Sequence, residues 1–171
     1  MEIYKDSIEE LQNELDADFI AVYTGIQTIK NKLINYSDPK KLKGDEIVGG
    51  YGEICCRQLT KGKLASDNYE YDVVTPQGFK ISVKTRKGNN SGWRTTSAIP
   101  NIEIDEESPT HLMFIHLLED YSVDRIWLFK WTNLIYENRF LVHRVRGKMR
   151  SYVIKINPEK DQNNLIYTSG K

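Results

Sequence analysis

The sequence predicts an α/β fold in which a mixed central β-sheet is flanked by helices. Three observations carry that prediction. Apolar residues recur at helical spacing through residues 6–35, and a second helix fits 45–59. A strictly alternating arm, Phe79 to Thr85, follows a turn sequence and reads as a strand with one buried face. Two later runs, His111-Leu-Met-Phe-Ile-His-Leu-Leu118 and Arg125-Ile-Trp-Leu-Phe-Lys-Trp131, are apolar at nearly every position, as strands at the centre of a sheet are.

With 171 residues and 39% apolar content, one domain with an ordinary core is expected. The chain holds 24 basic and 24 acidic residues, which excludes a simple polycation and requires any nucleic-acid surface to be local. The N-terminus is acidic and polar, unlike a signal peptide, and no apolar run reaches membrane-spanning length. The only cysteines, Cys55 and Cys56, are adjacent, which suits neither an ordinary disulfide nor a spaced zinc site. These features predict a cytoplasmic protein with no membrane partner.

Taking the elements in order, Leu11, Leu15, Phe19 or Ile20, and Val22 or Tyr23 mark a helical face, with acidic residues in the first turns where the helix dipole favours them. The sequence leaves open whether this is one bent helix or two, broken near Asp16 to Asp18 or at Gly25, and whether it covers the core or forms a dimer contact. Tyr36 to Gly44 reads as a solvated loop carrying Lys40, Lys41 and Lys43. Asp45 is placed to cap a helix running to about Leu59. On that helix Glu53 shares a side with Gly49, Gly50 and Cys56, and small residues there would let the helix approach the sheet and aim Glu53 at the strand ends. The competing role for Glu53 is a solvent-facing charge.

Thr75-Pro76-Gln77-Gly78 suits a type I turn followed by a left-handed glycine, which closes a three-residue hairpin loop with a bulge. In that register Asp72 lies opposite Ser82 and Glu70 opposite Lys84, so Asp72, Ser82 and Lys84 share a face. A turn-bound Asp72, and a Lys84 salt-bridged to Glu70, are the plainer alternatives; Glu70 is also a candidate acid in its own right.

Asp72, Ser82-Val83-Lys84 and the helical Gly52-Glu53-Ile54 together resemble the PD-(D/E)XK nuclease superfamily, the restriction-endonuclease-like fold, over roughly residues 44–131. That family pairs an Asp at one strand end with acidic-x-Lys on the next strand, and many members add a Glu on the preceding helix. Tyr71 stands where the family has proline, and Ser82 where it has the second acid, which shifts weight onto Glu53. The resemblance implies a Mg²⁺-dependent DNA endonuclease, with Mn²⁺ as a substitute metal, acting on double-stranded DNA. The type II restriction type is expected, and analogy with two-fold substrates suggests a homodimer. It further implies Glu53, Asp72 and Lys84 as catalytic residues, with Asp72, Glu53 and the Val83 carbonyl as metal ligands. A non-catalytic DNA-binding module on the same fold and a repair or recombination nuclease are the alternatives. The chain then divides into a helical region (1–43), a catalytic core (44–131) and a basic extension (132–171) of one nuclease domain.

Residues 73–102 contain no acid but carry Lys80, Lys84, Arg86, Lys87 and Arg94. The stretch Lys87 to Ser97 is rich in Gly, Asn and Ser, so a cationic loop is expected to leave the strand directly after Lys84. Arg86, Lys87, Asn89, Asn90, Trp93 and Arg94 are the candidate DNA contacts, since such side chains reach phosphates and base edges. In the bland alternative Trp93 packs back onto the core. His111 and His116 are expected as core or edge residues rather than ligands. Trp131 to Asn138 reads as a helical segment, Arg139 to Ile156 as an extended cationic surface without acids, and 157–171 as a loosely attached end.

Overall fold

The computed structural model describes residues 1–33, 46–66 and 68–170. The expected loop at 36–44, its lysines, and the Asp45 cap lie outside the described residues. The protein is α/β. One helix, α1 (Asp6–Leu33), runs unbroken through Gly25. It is followed by α2 (Glu46–Thr60), β1 (Lys63–Leu64), β2 (Val73–Val74), β3 (Lys80–Lys87), β4 (His111–Leu117), β5 (Val123–Lys130), α3 (Trp131–Tyr136), β6 (Leu141–Val145), β7 (Lys148–Val153) and β8 (Leu165–Thr168).

Six strands form one sheet in the order β1-β2-β3-β4-β5-β8, and β6 and β7 form a separate two-stranded sheet. The sheet is mixed: β3 and β4 are parallel and every other pair is antiparallel. The two apolar runs are its centre, with Leu112 to Ile115 of β4 entirely buried. No helix among the described residues is long and apolar enough to cross a membrane.

The faces of the sheet are covered differently. One packs α1 and α2 against Ile81, Val83, Met113 and Ile115, with Phe19 of α1 stacked on Tyr121 at 5.1 Å. One side of α1 therefore covers the core. The other face buries Trp93, Phe114, Trp127, Phe129 and Trp131 beneath the 93–99 segment and the root of the β6–β7 hairpin. Helices therefore flank mainly one side. β3 is accordingly covered on both faces rather than one: Ser82 is 3% exposed and Val83 7%.

The C-terminal end is ordered, contrary to expectation. Leu165, Ile126 and their neighbours pair β8 with β5, and the preceding turn is held by Asp161, which is 1% exposed and takes two hydrogen bonds from Arg139 at 2.8 and 2.9 Å. The short apolar strand and this ion pair lie far apart in sequence from their partners, so no local periodicity betrays them.

Candidate active site

The site begins with a close approach of helix to sheet. A Cβ added at Gly52 would lie 1.8 Å from the Thr85 Oγ1 of β3. Only hydrogen fits there, so α2 is seated directly on the strand. Gly49 and Gly50, expected to make that approach, have open space around them. Cys55 and Cys56, both fully buried, complete the anchored side of the helix. Glu53, the residue after the seated glycine, is thereby held beside β3.

The hairpin has the predicted turn and register. The Gly78 N–H donates to the Thr75 carbonyl at 2.9 Å, Gly78 has φ +82°, and Val73 pairs with Ile81 and Val74 with Lys80. That register, continued, sets Asp72 across from Ser82. The ladder stops there, however, and β2 is only two residues long. The Asp72 amide donates to the Ile81 carbonyl at 2.9 Å, while its carboxylate Oδ2 accepts the Val83 N–H at 2.6 Å. The side chain of Asp72 thus takes the place of a backbone acceptor. Because N–H and C=O of one strand residue share an edge, the Val83 carbonyl faces the same open side.

Beyond Ile81, no strand among the described residues pairs with this edge of β3. A cleft of about 390 Å³ occupies the gap, and its walls include Glu53, Asp72, Val83, Lys84, Arg86 and Lys87. All the residues expected to form the catalytic and metal-binding set therefore line one cavity. Burial pushes the Cys56 thiol up, and the negative charges of Asp72 and Glu53, which sit close enough to act on it, push the same way. Glu70 is not part of the cleft: its carboxylate accepts from Asn101 Nδ2 at 3.3 Å, away from Lys84. Ser82 is buried beside the cleft and does not line it. Among the described residues no three His, Cys, Asp or Glu side chains cluster to hold a metal. The donors on offer are two carboxylates and a backbone carbonyl. These are hard oxygen ligands, a set that fits Mg²⁺, which keeps several waters and binds through one or two carboxylates with substrate phosphate.

The candidate DNA-contact residues divide. Lys87 is held by Glu119 at 3.6 Å and lies 4.4 Å over the Tyr121 ring. Arg86 donates from Nε to the Thr95 carbonyl at 3.0 Å and from Nη2 to the Thr96 carbonyl at 3.1 Å, bracing the loop against the cleft wall. Asn89, Asn90 and Arg94 are exposed, and Asn90 Oδ1 also caps a 3₁₀ turn (Ser91–Arg94) by accepting the Gly92 N–H at 2.9 Å. Trp93 is not offered to a ligand: it is 7% exposed and stacks on His116 at 4.1 Å. His116 is a core residue, its Nε2 facing the Gly88 carbonyl at 2.8 Å and its Nδ1 facing Asp124 at 2.8 Å.

Two positioning residues, Gly52 and Thr85, escaped the sequence reading. The only available signal was Gly52 standing directly before Glu53. Comparison of the chain with family models and with curated proteins finds no match to either.

Proposed function

We propose that this protein is a Mg²⁺-dependent endonuclease that hydrolyses phosphodiester bonds of double-stranded DNA, of the restriction type and acting as a homodimer when it cuts both strands. The observation that carries this reading is the convergence of Glu53, Asp72, the Val83 carbonyl and Lys84 in one cleft, with Arg86 and Lys87 on its wall. Asp72, through the oxygen not engaged by Val83, Glu53 and the Val83 carbonyl would hold the metal. A bound Mg²⁺ supplies charge neutralisation at phosphate and a more acidic water. Lys84 adds a fixed positive charge where negative charge develops on the phosphate. Arg86 favours the flanking phosphates and so positions the strand without reading its sequence.

One specific observation favours a second reading, a DNA-binding module without catalysis: Ser82 occupies the place of the second acid and leaves the ligand set one carboxylate short. Plasmid incubated with Mg²⁺ or with EDTA, using wild type, Asp72→Asn and Lys84→Ala, separates the two. Metal-dependent fragments that both substitutions abolish are expected. Intact plasmid under every metal condition, together with retained DNA binding, would sink the nuclease and leave the binder.

A further inference from the structure

The β6–β7 hairpin belongs to no larger sheet, and neither the cleft nor the core accounts for its surface. Its tip, Val145-Arg146-Gly147-Lys148, turns through two residues of positive φ, +51° at Arg146 and +78° at Gly147. That is the tight turn whose twist matches a right-handed ribbon, so the two strands stay paired to the end. Arg144, Arg146, Lys148 and Arg150 are all exposed, and the sequence has no acidic residue from Asn138 to Pro158. Among the described residues none of these four cations has a carboxylate partner. Leu141 and Val142 toward the hairpin's root and Met149 beside Arg144 remain 46–50% exposed.

The root of the ribbon is firmly held, and held to the cleft wall. Ile99 and Tyr152 exchange both backbone hydrogen bonds at 2.8 Å, and Thr96 N–H donates to the Ile154 carbonyl at 2.9 Å. The Ile154 N–H returns to the buried Thr96 hydroxyl at 3.0 Å. Thr96 is the residue whose carbonyl receives Arg86, and Ser97 lines the cleft. A cationic arm is therefore hydrogen-bonded at its root to the same segment that walls the candidate active site.

We infer that the β6–β7 ribbon is a duplex-DNA arm, entering the major groove next to the scissile strand. A two-stranded ribbon fits a groove about 12 Å wide, where arginine and lysine reach phosphates and guanine edges and exposed apolar side chains meet thymine methyls. Charge complementarity selects the partner, because four unpaired cations on one narrow ribbon match a linear array of phosphates. The inference rests on the proposed DNA substrate, but it requires binding only.

The test uses the full chain carrying Asp72→Ala, so that cutting plays no part, and a fluorescein-labelled duplex titrated at several salt concentrations in EDTA. Replacing Arg144, Arg146, Lys148 and Arg150 together with serine is expected to weaken binding by about 10²-fold or more and to reduce the slope of log affinity against log salt by about 3 to 4, one phosphate contact each. An unchanged melting temperature is expected for these exposed sites and separates loss of contact from loss of fold. Equal affinity and slope in the quadruple variant would overturn the arm while leaving any cleavage by wild type, and hence the nuclease, intact. Loss of binding in a protein that never cuts would uphold the arm and sink only the nuclease. Binding to phosphatidylserine vesicles as tight as to duplex would overturn DNA as the partner.

Discussion

Two aspartates at opposite sides of the sheet show how the same side chain can be saturated by its neighbours in one place and left available in another. Asp161 is 1% exposed, and both its oxygens are engaged: Arg139 grips them as a fork, and the Asn157 N–H donates to Oδ2 at 2.8 Å. Asp72 is half-buried, and a single backbone N–H, that of Val83, is hydrogen-bonded to its Oδ2. A cavity of about 640 Å³ adjoins Asp161, and the cleft of about 390 Å³ adjoins Asp72. Cavity volume does not follow the availability of the carboxylate beside it. A carboxylate saturated by a guanidinium has nothing left to offer a ligand, whereas one anchored by a single amide is both oriented and available.

Breaking each aspartate should separate the two roles. The largest effect on turnover is expected for Asp72→Ala, which should lower cleavage at least about 10³-fold. Its folding free energy should fall by only about 1 kcal/mol, since one hydrogen bond is lost. Asp161→Ala should do the reverse, costing about 3 kcal/mol in urea unfolding by leaving the half-buried Arg139 with only the Lys155 carbonyl at 3.2 Å and Glu137 at 3.7 Å, with kcat nearly unchanged in the folded protein. Gly52→Ala sharpens the contrast from the other side. The new methyl must push α2 off Thr85, at a cost of about 1–3 kcal/mol, and because Glu53 moves with the helix, activity should drop along with stability. A Gly52→Ala variant with full activity would mean that the seating of α2 does not set Glu53.

A smaller effect is expected in acid. Burial pushes the Asp124 carboxyl up, but hydrogen bonds from Arg125 and His116 outweigh it and hold the carboxyl below its usual range. A carboxyl with a depressed folded pKa stabilises the protein above its unfolded value, about 4, and that stability is lost as pH falls through the folded value. Asp124→Asn should therefore flatten the acid limb of a melting-temperature profile, measured calorimetrically, while leaving the neutral limb parallel to wild type. The smallest effect is expected at the cysteines. Burial pushes the Cys55 thiol up to about 12, and Cys56 is raised as well. Neither should react with a thiol reagent at neutral pH until the chain unfolds.

Much of this was legible locally. The turn at Thr75 to Gly78 fixed the hairpin register, and the register put Asp72 and Lys84 within one cleft, because turn chemistry and side-chain alternation are short-range properties. The apolar runs of β4 and β5 were equally plain. The features that stayed hidden depend on distant partners. Nothing around Trp93 announces that His116 and Phe114 wait to cover it, so an aromatic in a polar loop looks exposed. Leu165 to Thr168 looks like a frayed tail until β5 supplies its ladder. The close contact of Gly52 was similarly invisible, since three glycines lie within four residues and only the strand selects among them.

The short β2 has one more consequence. By stopping at Val73, it leaves the far half of β3 as a sheet edge, and a bare edge is a template on which another copy of the chain can add a strand. That edge carries Lys84 and the exposed Arg86, charges that an added strand would have to desolvate, so this half of the strand is blunted against accepting a strand from another copy.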